Sequence, residues 1–181
     1  METERFRNAN WRLALVLGGA RSGKSRFAEG LVQATGLGLC YVATAEARDA
    51  EMEERITRHR ARRGDAWRTV EAPLEPGGAV TRAGTREAVL VDCLTLWLAN
   101  LMLAGRDPEA EAEALAGILR TARGPVALVS NEVGLGLVPE TPLGRAFRDA
   151  QGILNQRMAA EADLVVFMAA GLPLVLKGRL G

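Results

Sequence analysis

The chain has 181 residues, a formal net charge of +1, 48% hydrophobic and 25% charged residues, the balance of an ordinary globular domain. That near-neutral charge and the 4% aromatic content argue against binding to nucleic acid or a membrane surface, which calls for a basic field or an interleaved aromatic and basic stripe. No apolar run reaches the roughly 18 residues needed to span a bilayer, and Cys40 and Cys93, each inside an apolar run, read as buried thiols rather than a disulfide or metal site.

Residues 1–11 read as a polar, flexible extension ahead of a single catalytic domain over 12–181. They carry no signal-peptide pattern, so a cytoplasmic protein is expected. Leu13 to Leu17 form a continuous apolar run suited to a parallel strand buried on both faces. Directly after it come Gly18, Gly19, Ala20, Arg21, Ser22, Gly23, Lys24 and Ser25, which satisfy the phosphate-loop pattern G-x-x-x-x-G-K-[ST]. The glycines permit positive φ and leave the peptide N–H groups open to a phosphate at a helix N-terminus. Lys24 supplies a mobile cation for the β and γ phosphates, and Ser25 a hydroxyl for Mg²⁺. A plain glycine turn is the competing reading, and the strand before the motif and the helix after it speak against it.

Residues 39–44 read as a second strand, with Thr44 and Ala45 at its C-terminal end, the edge where open α/β sheets hold ligands. Residues 48–63 read as a helix with acids first and arginines last, which complements its dipole. Met52, Ile56, His59 and Arg63 share one face of it. Two readings of its basic end stay open: a solvated surface, or a neutral imidazole, His59, poised as a nucleophile toward phosphorus among guanidinium groups. Further strands are expected at 67–71, 88–92, 126–130 and 164–168, with a closing hairpin strand at 173–177. Helices are expected at 94–103, 108–123 and 143–160; residues 73–85 read as loop or weak helix, and 131–142 as a Gly/Pro-rich loop. The alternation implies an α/β fold with a mostly parallel central sheet covered by helices on both faces. Asp92 ends its strand where phosphate-loop proteins place the acid that holds Mg²⁺, so Ser25 and Asp92 are the expected metal ligands.

Together GGARSGKS at 18–25, YVAT at 41–44, DAEMEERITRH at 49–59, WRTVE at 67–71, NEVGLGLVP at 131–139 and Asn155-Gln156-Arg157 form an ordered set. It resembles the bifunctional adenosylcobinamide kinase and adenosylcobinamide-phosphate guanylyltransferase family of cobalamin synthesis. The resemblance implies a RecA-like phosphate-loop fold, a homotrimer, ATP and GTP as substrates with Mg²⁺, and a corrinoid acceptor. It also implies a GMP-histidine intermediate at His59, with Lys24 as the other catalytic residue. Nucleotide contacts would come from Gly18 to Ser25, Ala43, Thr44, Ala45, Arg60, Ala61, Arg62, Arg63, Glu71 and Asp92. Asn131, Glu132 and Arg157 belong to the resemblance without a role that physics assigns; capping and loop ordering are equally open for them. The rivals are a plain phosphate-loop kinase for another alcohol and a RecA-like nucleotide switch.

Overall fold

A computed structural model describes residue 6, residues 10–47 and residues 50–180; the side chains of Glu51, Arg55, Arg58, His59 and Arg62 lie outside the described residues. In chain order the elements are β1 Leu13–Gly18, α1 Lys24–Gln33, β2 Gly38–Ala43, α2 Ala50–Arg63, β3 Trp67–Glu71, α3 Pro76–Arg82, β4 Glu87–Asp92, α4 Leu94–Leu103, α5 Pro108–Arg120, β5 Val126–Asn131, α6 Pro142–Glu161, β6 Leu164–Ala169 and β7 Leu172–Lys177. They build one seven-stranded sheet in the order β3-β2-β4-β5-β1-β6-β7. Every neighbouring pair is parallel except β6 with β7, the expected closing hairpin.

The apolar runs became strands because both of their faces are covered. Alternation sends Leu13, Leu15 and Leu17 into one core with Val89, Val91, Leu98, Leu115 and Leu154, and Ala14 and Val16 into another with Leu90, Phe27 and Leu31. Each fully buried leucine or valine contributes about 1.5–3 kcal/mol, so the two layers fix the strand register. Asp107 caps α5 through its side chain, and Thr141 caps α6 by accepting from the Gly144 N–H; each is followed by a proline at the helix start.

Two features add to the sequence pattern. Residues 73–85, read as loop or weak helix, contain α3, in which Ala79 and Val80 are buried. Gly77 is what lets it pack, since a Cβ there would lie 2.5 Å from the Ile118 side chain of α5. Within residues 1–11, Phe6 and Trp11 are buried; Phe6 meets Phe27 of α1 edge-on, with ring centroids 5.1 Å apart.

On the surface, Arg120 and Arg157 both pair with Glu113 and Glu161, tying α5 to α6. The Arg157 and Arg120 hydrogen bonds hold the Glu113 carboxyl well below its usual range, at about 2. A depressed carboxyl pKa stabilises the fold above the unfolded value and loses that contribution as pH falls from the ordinary range toward about 2. Glu113 is exposed, so the effect is small. Glu113→Gln should therefore lower Tm slightly at neutral pH and converge on the parent chain as pH drops, measured by thermal melts across pH. A constant difference at every pH would contradict this.

Candidate active site

The C-terminal ends of β1, β2, β4 and β5 share one edge of the sheet, with β5 inserted between β1 and β4. Gly18 to Ser25 follow β1 there and run into α1. Gly23, at φ 94°, caps α1 in a conformation that a side chain would strain. Gly18 answers a different demand: a Cβ there would sit 2.6 Å from the Met168 carbonyl oxygen. At Gly19 a Cβ would meet nothing within 4 Å. The loop is braced from both sides, by the Glu132 N–H donating to the Gly18 carbonyl (3.1 Å) and the Gly171 N–H donating to the Ser22 carbonyl (3.0 Å). Lys24 is buried, and its Nζ donates to the Gly19 carbonyl oxygen at 2.9 Å, so the ammonium arches over the loop that would hold a phosphate.

Beyond Lys24 and Ser25 a cleft of about 400 Å³ opens toward β2, β3 and β4. Ala43, Ala45, Thr69, Glu71 and Asp92 form its floor and rim; Met52, Ile56, Arg60 and Arg63 of α2 form its wall. The Arg63 guanidinium lies 3.4 Å from the Tyr41 ring centroid, a cation–π contact, and its Nη1 is buried with no hydrogen-bond partner among the described residues. Asp92 Oδ2 is also buried and without such a partner. Arg63 and Asp92, each with a buried polar atom that has no hydrogen-bond partner among the described residues, thus line the same cleft. Burial first, and then the Asp92 charge, push the Tyr41 phenol up and keep it neutral. The same two causes raise the Cys93 thiol to about 11, so this cleft-lining sulfur is an unreactive thiol at neutral pH. Both cysteines are free and buried, as their apolar surroundings imply.

The family model for cobinamide kinase / cobinamide phosphate guanyltransferase matches residues 14–176. The chain belongs to this family. It is 50% identical over 169 residues to the bifunctional adenosylcobalamin biosynthesis protein CobP of Pseudomonas aeruginosa, covering 91% of this chain and 97% of that protein. To CobU of Escherichia coli it is 38% identical over 181 residues, covering 91% and 99%. In fold alone it is similar to the RadB recombinase (17% identity, 86% of this chain and 73% of that one, TM-score 0.51). An ATPase of a bacterial type III secretion system is likewise similar (11% identity, 91% and 56%, TM-score 0.55). The fold is thus that of the RecA-like phosphate-loop proteins.

In this cobinamide kinase family chain, the cleft gathers Lys24, Ser25, Ala43, Ala45, Arg60, Arg63, Glu71 and Asp92 of the expected site. Thr44 stands behind it. Its hydroxyl donates to the Cys93 carbonyl (2.7 Å) and accepts from the Cys93 N–H (2.8 Å), while Asn100 Nδ2 donates to the Thr44 carbonyl (2.8 Å). Thr44 thus clamps the end of β2 to the end of β4 and holds Ala43 and Ala45 at the rim. Ala61 is exposed on α2. The side chains of His59 and Arg62 lie outside the described residues; position 59 is in α2, whose Met52, Ile56 and Arg63, grouped with it by spacing, line the cleft.

Tyr41 and Asn131, which open the YVAT and NEVGLGLVP stretches, also line the cleft, although the sequence assigns neither a contact. Glu132 orders its own loop by accepting from the Gly134 N–H. Arg157 is committed to Glu113 and Glu161 on the α5–α6 surface and takes no part in the cleft.

Proposed function

We propose that this chain phosphorylates the hydroxyl of adenosylcobinamide with ATP or GTP, then transfers GMP from GTP to the resulting phosphate. The observation that carries the reading is a braced phosphate loop continuous with an arginine-walled cleft, in a chain half identical to a bifunctional adenosylcobalamin biosynthesis protein over nearly its whole length.

In the kinase step the acceptor oxygen bonds to the γ phosphorus as the bond to the bridging oxygen breaks. The work is positioning and charge neutralisation, supplied by the loop N–H groups and Lys24. In the second step an imidazole nitrogen of His59 bonds to the α phosphorus of GTP and pyrophosphate leaves; the cobinamide phosphate oxygen then displaces the histidine. Splitting one displacement into two lowers each barrier. Arg60 and Arg63 offset the charge on the phosphorus under attack. Ser25 and Asp92 suit a hard divalent cation: both line the cleft, and the buried, unpartnered Asp92 Oδ2 is the kind of oxygen Mg²⁺ takes. When bound, Mg²⁺ neutralises phosphate charge.

Residues 12–181 act as one catalytic domain. We assign the cytoplasm, in keeping with two free, buried thiols, and a homotrimer, in keeping with Leu172, Leu174 and Leu176 exposed along the edge strand β7. Among the described residues, no helix is long and apolar enough to cross a membrane.

Incubation with α-labelled GTP and Mg²⁺ tests the covalent route. A protein-bound label that is acid-labile and alkali-stable is expected; a chain that phosphorylates cobinamide yet takes no label would be a plain kinase.

A further inference from the structure

Among the described residues, the two large apolar side chains most open to solvent, Leu137 (96%) and Leu135 (82%), stand in the loop between β5 and α6. Val138 in the same loop and Leu143 in the first turn of α6 are 65% and 66% exposed. Hydrocarbon left in water forgoes about 25 cal/mol per Å², and an ordinary surface loop carries polar residues in such places.

The loop is held in this shape at both ends. At its root, Ser130, Gln151 and Asn155 close a buried hydrogen-bonded ring, and Asn155 Nδ2 donates to the Asn131 carbonyl (3.1 Å). The Glu132 carboxylate then accepts from the Gly134 N–H. At the far end, Arg145 Nη1 donates to the Pro139 (3.1 Å) and Glu140 (2.7 Å) carbonyls. Pro139 also packs on Gly144, where a Cβ would come within 2.8 Å of the proline ring. The main-chain N–H groups of Leu137 and Val138 have no acceptor among the described residues. A braced platform therefore presents apolar side chains with open peptide groups beside them.

Its position says what it receives. Asn131 lines the cleft, and the Glu132 N–H donates to the Gly18 carbonyl, so the platform starts beside the phosphate loop. A cleft of about 400 Å³ is the size for one nucleotide-sized ligand. A macrocyclic acceptor has to rest outside it and reach in with the arm that bears its hydroxyl. A corrin ring offers a broad apolar face and a rim of carboxamides, which match exposed leucines and open peptide N–H groups. A second copy of the chain fits less well: a stable interface takes about 800 Å² per partner, and four side chains make a patch of only a few hundred Å². The exposed leucines of β7, assigned above to contacts between copies, lie on the other side of β1 from β5. We propose that residues 133–140 dock the corrin macrocycle of adenosylcobinamide, with Leu135, Leu137 and Val138 against one face of the ring. The inference rests on the proposed kinase reading and deepens it by giving the acceptor a surface.

The test compares the full chain with two double variants, Leu135→Ser with Leu137→Ser, and Leu135→Met with Leu137→Met. Readouts are kcat and KM for phosphoryl transfer from γ-labelled ATP to adenosylcobinamide, and adenosylcobinamide Kd by equilibrium dialysis followed at its visible absorbance. Nucleotide Kd, protein labelling from α-labelled GTP and oligomeric state by light scattering serve as controls. The serine pair should raise KM and Kd for adenosylcobinamide at least about tenfold, the scale of the apolar contact removed. Its kcat, nucleotide Kd and GMP labelling should stay within about threefold of the parent, because the lost binding is common to ground and transition states. The methionine pair should keep KM within about threefold, since it preserves apolar area in another shape. Both leucines are exposed, so neither pair disturbs the core. An unchanged KM in the serine pair overturns the proposal, and so does nucleotide affinity falling together with corrinoid affinity. A changed oligomeric state in the serine pair would make the loop a contact between copies and overturn it as well. A parent chain that does not phosphorylate adenosylcobinamide sinks the kinase reading and this docking surface with it; an active parent beside an equally active serine pair sinks the docking surface alone.

Discussion

His59→Ala is expected to abolish protein labelling by α-labelled GTP and to reduce GMP transfer to cobinamide phosphate by at least about 10⁴-fold, the scale on which a covalent nucleophile is missed. The chain has a single histidine, so no second imidazole can substitute. Phosphorylation of cobinamide should survive within about threefold, because Lys24 and the loop amides lie on α1 and the turn before it rather than on α2. The separation is the informative part. Loss of both activities in a folded variant would mean that α2 shapes the nucleotide site itself, and retention of the label would place the nucleophile elsewhere.

Lys24→Ala should depress both activities, each by about 10²–10³-fold, since each needs the polyphosphate held against the loop. GTP affinity measured by calorimetry should fall with them. Tm should move little: the Lys24 ammonium donates to the Gly19 carbonyl, a loop oxygen that water can serve once the side chain is gone. Lys24→Arg should not restore activity, because a planar guanidinium is wider than the point charge that fits over the loop. Unchanged GTP affinity in Lys24→Ala would remove the phosphate loop from the nucleotide site.

The phosphate loop was legible because its chemistry is local: eight consecutive residues, an apolar run before them and an amphipathic helix after them. β3 and α4 match their expected limits for the same reason, each being bounded by turn residues. α3 was obscured because its Pro-Gly-Gly opening has poor helix propensity, and its packing depends on Ile118, distant in sequence. Asp92 was readable as a strand end, but nothing in its neighbours told that one of its oxygens is buried without a partner. The ring of Ser130, Gln151 and Asn155 was invisible: Gln151 and Asn155 stand one helical turn apart, yet what they face is decided by how α6 crosses the end of β5. Arg157 shows the reverse case, a motif position whose side chain ties α5 to α6 on the surface.

The edge-on ring of Phe6 touches α1 where Gly30 leaves it room, a Cβ there falling 3.2 Å from the phenyl edge. α1 is also the rod whose first turn presents Lys24 and Ser25. Shortening the amino terminus past this phenylalanine would therefore wet the back of the rod that carries Lys24. Truncated versions made for convenience should melt earlier and grip nucleotide less firmly, although every residue of the cleft would still be present.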